Sequence, residues 1–160
     1  MNSPIKLIFF YLAAIITMAT TCIDDDKNHH SMIKIINNST KGIYYRMNTI
    51  YKNSDTLFIS DYNPVLDKLN FYCDTNGSNK IWTRSTFEGD FKRGAEYLQI
   101  IIFDEEIIQT IPFDTIRKYD MTLKRYNLTL EDLQALRWEV TYPPTEEMKK
   151  VNQYPPYGSE

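Results

Sequence analysis

The chain is poor in the residue types that most enzymes use for chemistry. Its 160 residues hold two histidines, two cysteines and five glycines. The histidines, His29 and His30, stand side by side near the N-terminus, in a polar stretch that reads as a tether. A histidine-based catalytic arrangement in the folded body is therefore not expected, although histidine is the commonest general base. A CxxC pair, an HExxH motif and a glycine-rich phosphate loop are all missing. No basic cluster is denser than Lys149-Lys150, and the formal net charge is −3, which argues against a nucleic-acid binder. No apolar run reaches the ~20 residues that cross a bilayer as a helix. What is abundant is aromatic: twelve tyrosines and eight phenylalanines, a composition that suits packed strands better than disorder.

The longest apolar run, Leu7 to Met18, follows a single charge, Lys6. As a helix it would rise about 18 Å, short of the roughly 30 Å hydrocarbon core. Residues 1–21 therefore read as a cleavable secretory leader. The leader carries one Lys and no acid, so the remaining 139 residues hold 17 basic and 21 acidic side chains, one domain with a charge of about −4.

Ala19-Thr20-Thr21-Cys22 resembles the lipobox of bacterial lipoproteins, with Ala and Thr where the usual pattern has Leu and a small residue. The resemblance implies that Cys22 takes up lipid after cleavage. A diacylglycerol thioether with a further acyl chain gives a stable anchor, because each buried methylene contributes ~0.8 kcal/mol and one chain alone is marginal. Asp24, Asp25 and Asp26 follow at once and resemble the acidic export signal of Bacteroidetes surface lipoproteins. That implies an outer-membrane, lipid-anchored protein exposed at the cell surface; a periplasm-facing position is the alternative. If Cys22 is acylated, Cys73 has no intramolecular partner, and its neighbours Phe71 and Tyr72 favour a buried thiol.

Residues 22–31 are expected to be a lipidated flexible tether, 32–144 a β-rich globular domain and 145–160 a Pro/Tyr tail. Met32–Ile36 and Ile43–Arg46 read as strands of an opening hairpin around the turn at 37–42. Thr56–Ser60 is a further strand. Lys68–Cys73 alternates, with Leu69, Phe71 and Cys73 on one face, and Asn76-Gly77 should turn it into a partner strand at Ile81–Ser85. Phe87–Ala95 reads as a loop. Tyr97–Phe103 is the central strand, buried on both faces. Asp104 caps a helical stretch over 105–119 that Pro112 interrupts. Met121–Leu128 is a strand. Thr129 and Asp132 form a capping box, Leu128 and Leu133 a hydrophobic staple, and a short helix leads into a last strand over Arg137–Tyr142.

The segment LKRYNLTLEDLQALRWEVTYPP (residues 123–144), and more loosely Tyr97 to Pro156, is similar to the C-terminal half of small Bacteroidetes lipoproteins. The resemblance implies location and no site residues. For residues 145–160 two readings stand: a loose polyproline-like end, or a tail that docks its tyrosines on the domain.

Candidate site residues are few. Trp82, Phe87 and Tyr97, with Tyr72 and Phe91, surround the expected hairpin and its loop and are candidates for binding a glycan or protein, since aromatic faces stack on sugars and are enriched at interfaces. Trp82 and Trp138 are equally readable as core. Asp104, Glu105 and Glu106, with Glu88 and Asp90, are the only carboxylate grouping suggestive of a hydrolase. Neighbouring histidines alone make no coordination shell, so neither metal nor cofactor is expected. Asp55-Thr56-Leu57 and Asp114-Thr115-Ile116 are similar to Bacteroidetes O-glycosylation sites.

The expected protein is thus a single, mainly β, sandwich-like domain with short helices near its C-terminal end. It binds a membrane through lipid on Cys22 and works as a non-enzymatic binding or interaction module. The alternatives are a carboxylate-based hydrolase or a structural accessory of an envelope complex.

Overall fold

The computed structural model describes residues 29–52 and 62–159. The leader, Cys22, Asp24, Asp25, Asp26 and the strand expected at Thr56–Ser60 lie outside the described residues. Within these bounds the protein is mainly β, with eight strands in two sheets. β1 (Met32–Asn37) is the middle strand of a three-stranded sheet. It runs antiparallel to β4 (Ser78–Trp82) and parallel to β7 (Glu139–Tyr142). The second sheet is antiparallel throughout, in the order β3 (Tyr72–Cys73), β2 (Ile43–Tyr51), β5 (Ala95–Asp104), β6 (Lys124–Leu128) and β8 (Asn152–Tyr154).

Alternation decides how the sheets stack. Ile33 and Ile35 of β1, Ile81 of β4 and Val140 of β7 meet Tyr45, Leu98, Ile100, Ile102, Tyr126 and Leu128 of the larger sheet in one buried core. Each fully buried aliphatic side chain contributes about 1.5–3 kcal/mol. The opposite face of β2 and β5 (Tyr44, Ile101, Phe103) is covered by Ile108 of helix α3 (Glu105–Thr110) and by Phe113 and Ile116 of helix α4 (Phe113–Tyr119). Covered on both sides, β5 is buried continuously from Leu98 to Phe103, Gln99 included, as its apolar character requires.

On the C-terminal half the cap and break signals read true, but the strands expected at Met121–Leu128 and Arg137–Tyr142 are shorter, Lys124–Leu128 and Glu139–Tyr142. The Asp104 carboxylate accepts from the backbone of Glu106 and Ile107, and Pro112 separates α3 from α4. Thr129 and Asp132 form the capping box of helix α5 (Leu130–Ala135), with Leu128 and Leu133 both buried. That helix ends in a Schellman arrangement: Arg137 N–H donates to Gln134 O at 3.1 Å and Trp138 N–H to Leu133 O at 2.9 Å. Arg137 (φ 52°) and Trp138 (φ 62°) are both left-handed, although neither is glycine.

Several expectations are corrected. β1 and β2 do not form a hairpin. Both edges of β1 are taken by β4 and β7, and the buried Asn37 amide donates to the carbonyls of Lys41, Cys73 and Asp74, turning the chain across to the other sheet. Lys68–Cys73 is not one strand. Asn63 caps a 3₁₀ turn at Pro64–Asp67 that runs into helix α1 (Lys68–Phe71), and only Tyr72 and Cys73 are extended. Leu69 consequently points to solvent, 90% exposed. The Asn76 turn does form, at φ 50°, but it joins β3 to a strand of the other sheet. That strand spans Ser78–Trp82, not Ile81–Ser85. Phe87–Ala95 is not a loop: Thr86 caps helix α2 (Phe87–Lys92), its hydroxyl accepting from Gly89 at 3.1 Å. Helices therefore occur from residue 68 onward, not only near the C-terminal end.

Residues 145–154 fold onto the domain. A 3₁₀ turn (Glu146–Lys150) buries Met148, Val151 follows it inward, and β8 pairs with β6. These aliphatic side chains dock the segment; Tyr154 is 60% exposed. The buried Lys124 reaches the carbonyl of Pro156 at 3.5 Å.

Candidate functional site

The outward face of the three-stranded sheet is built by the side chains that alternation turns away from the core. On β1 these are Met32, Lys34 and Ile36, each half-buried. On β4 they are Ser78, Lys80 and Trp82, all exposed. The register sets Met32 opposite Trp82, Lys34 opposite Lys80, and Ile36 opposite Ser78. Trp82 is 65% exposed and Trp138 only 9%, so one tryptophan is surface and the other core. Lys34 and Lys80 are like charges directly opposite, an unfavourable pairing in a sheet. It is offset from the sides: Lys34 Nζ lies 3.0 Å from Glu139 Oε1 on β7, and Lys80 Nζ lies 5.9 Å from the centre of the Trp82 ring.

The other aromatic candidates are elsewhere. Phe87 is fully buried at the start of α2, stacked at 5.6 Å on Trp138, and belongs to the core rather than to a binding face. Tyr97 is half-buried on β5, opposite Ile50, in the other sheet. The three residues do not converge. Their sequence neighbourhood was misleading because β4 and β5 belong to different sheets.

His30 is not in a solvated tether. Its ring stacks on Trp138 at 4.2 Å, its Nδ1 lies 2.7 Å from Glu88 Oε1, and its backbone N–H donates to Glu88 Oε2 at 2.9 Å. Its carbonyl accepts from Phe87 N–H at 2.8 Å. His30 is thus tied into the fold. Burial alone would raise the Glu88 pKa, but the hydrogen bonds from the His30 ring and backbone outweigh it and hold the carboxyl below its ordinary value. Beside it Asp90, also buried, pairs with Arg93 and accepts from Ser85 Oγ at 3.2 Å.

The strand-end acids also have partners. Asp104 caps α3, Lys41 Nζ lies 3.6 Å from Glu106 Oε2, and Lys68 Nζ lies 3.8 Å from Glu105 Oε1. Glu105 is also bonded to the Tyr72 hydroxyl. Burial first, and then this carboxylate, push the Tyr72 pKa up to about 12. The Lys68 ammonium sits 3.9 Å above the Tyr72 ring.

Cys73 is buried in the core, its Sγ 3.9 Å from the Ile35 carbonyl, and burial pushes its thiol pKa up, which makes it a poor nucleophile at neutral pH. Thr115 lies half-buried inside α4, while Thr56 is outside the described residues. A groove of about 390 Å³ between β7 and the C-terminal 3₁₀ turn is lined by Arg137, Glu139, Glu146 and Glu147 among others. Among the described residues no group of three or more His, Cys, Asp or Glu side chains is placed to hold a metal, and no helix is long and apolar enough to cross a membrane.

The sequence singled out Trp82 but not the face it belongs to. The signal was there: Met-x-Lys-x-Ile at 32–36 and Ser-x-Lys-x-Trp at 78–82 alternate in the same sense. His30 carried no such signal, since its role depends on Glu88, 58 positions away. Compared with family models, curated proteins and solved structures, the chain matches none.

Proposed function

We propose that this protein is an outer-membrane lipoprotein, anchored through Cys22 and carried to the cell surface by Asp24, Asp25 and Asp26, that acts as a non-enzymatic interaction module. The observation that carries the interaction role is Trp82, a large exposed aromatic on the outward sheet face beside two lysines. Buried tryptophan is common; exposed tryptophan set among cations is the composition of an interface. The carboxylates support the same reading, because each candidate acid serves the fold: Glu88 holds His30, Asp90 holds Arg93, Asp104 caps a helix, and Glu105 and Glu106 face lysines.

Three comparisons test the proposal. Fatty-acid labelling of cells should mark the wild type and not Cys22→Ser. Protease treatment of intact cells should digest the wild type and spare a variant with Asp24, Asp25 and Asp26 replaced by Ala; protection of both would place the domain on the periplasmic side. Trp82→Ala should keep the melting temperature and lose interaction. A variant that unfolds instead would return Trp82 to the core and remove the reading.

A further inference from the structure

His30, close in sequence to Cys22, leads directly into the strand that carries the exposed face. His30 is fixed by Glu88, Trp138 and Phe87, so the chain enters the fold at a defined point. Only seven residues separate it from Cys22. At ~3.3–3.6 Å per residue the eight steps between the two span about 29 Å at fullest extension. The next two residues lead straight to the open face. Ser31 accepts a hydrogen bond from Thr83 N–H at 2.9 Å, and Met32 stands opposite Trp82.

The chemistry of that face suits one occupant. Trp82 and Met32 form an apolar row at the start of β1, and Lys80 and Lys34 form a cationic row behind it. Arg84, exposed, follows two residues after Trp82. Among the described residues Glu139 is the acid that pairs with this row, in a chain whose net charge is −3. The cations are therefore gathered against the overall charge. Tryptophan favours the headgroup region of a bilayer, where its ring is half in hydrocarbon and its N–H remains hydrated. Lysine and arginine stems run along apolar surface while their charges meet lipid phosphates. A soluble sugar or protein ligand would explain Trp82 alone. It would not explain why the cation-flanked face adjoins the point where the tether enters.

We infer that the outward face of the three-stranded sheet, Trp82 and Met32 with Lys34 and Lys80, lies on the anionic headgroups of the bilayer that anchors the chain and fixes the orientation of the domain on it. This rests on the lipidation of Cys22 proposed above. The groove beside Glu146 and Glu147 adjoins that face at Glu139 of β7 and holds none of the residues inferred to meet the bilayer.

The test uses the full-length lipidated protein, purified from membranes and returned to vesicles of phosphatidylethanolamine with a minority of phosphatidylglycerol, part of it brominated on the acyl chains. The chain has two tryptophans, so the emission that Trp82→Phe removes belongs to Trp82. The expected result is a blue-shifted Trp82 signal, most of it quenched by brominated lipid, and a loss of at least half of that quenching in Lys34→Glu/Lys80→Glu. Intact mass and vesicle flotation are read on the same samples. Protein that carries lipid and floats, but whose Trp82 is quenched by acrylamide and not by brominated lipid, overturns the inference and leaves the anchor standing. Its face is then open to a soluble glycan or protein. An unmodified Cys22 and protein that does not float overturn both.

Discussion

His30 Nδ1 lies 2.7 Å from Glu88 Oε1, and the backbone N–H of the same histidine donates to Glu88 Oε2 at 2.9 Å. One carboxylate thus holds both the ring and the main chain of a residue 58 positions away. Because the folded protein lowers the Glu88 pKa, the ionised carboxylate contributes stability. That contribution is present above the ordinary carboxylate pKa of the unfolded chain and is lost as pH falls through the lower, folded value.

Glu88→Gln should therefore cost about 1–3 kcal/mol at about pH 7, the usual cost of weakening a hydrogen-bonded buried charge. The cost should shrink as pH falls well below the ordinary carboxylate range and the wild-type carboxyl takes up its proton. Urea titrations of both proteins at neutral pH and in that acid range check this. A gap that stays constant would show that the pairing owes nothing to charge.

Arg137 occupies the position after α5 where a Schellman turn ordinarily has glycine, at φ 52°, and its side chain is exposed. Arg137→Gly removes the Cβ clash of the left-handed conformation and should raise stability by up to ~1 kcal/mol, despite the more flexible unfolded chain. The same substitution in the middle of a helix destabilises. A lowered thermal midpoint would mean that the turn is held by the Arg137 side chain.

Gly42 has no room for a side chain: a Cβ there would collide with the Tyr72 hydroxyl and the Glu105 carboxylate. Gly42→Ala should cost about 1–3 kcal/mol, as overpacking does. Adding Tyr72→Phe to it should recover part of that loss, because the hydroxyl is one of the colliding groups. The double-mutant cycle is read by urea denaturation, and strict additivity would place the strain elsewhere.

Truncation after Lys150 removes β8 and Val151 and strips Lys124 of the Pro156 carbonyl. The shortened protein should lose about 3 kcal/mol or more, from an emptied core position and an uncovered sheet edge. Val151→Ala alone should reproduce about 1–2 kcal/mol of it. Unchanged midpoints for both would mean that the segment is an appendage.

Much of the fold was legible where a signal is local. The apolar run of β5, the Asp104 cap, the break at Pro112 and the Thr129–Asp132 capping box all act within a few residues of themselves, so their sequence sufficed. The errors arose where a choice of partner was involved. A hairpin was expected between β1 and β2 because turn residues join them, but β4 and β7 compete for the edges of β1 and occupy both. Lys68–Cys73 alternates like a strand, yet Asn63-Pro64 starts a helical turn that carries through Phe71. Thr86 was a readable cap that the surrounding glycine and charges obscured.

By itself, the sequence determined the mainly β class, the burial of Cys73 and the apolar or polar character of each face, because those follow from side-chain chemistry and a period of two. Only the tertiary structure decided which tryptophan is surface and which is core. Trp82 alternates outward on its strand and stays exposed, while Trp138 is folded inward by a left-handed turn and covered by His30 and Phe87. Side-chain type sets the preference for burial, but long-range pairing sets what is available to bury it.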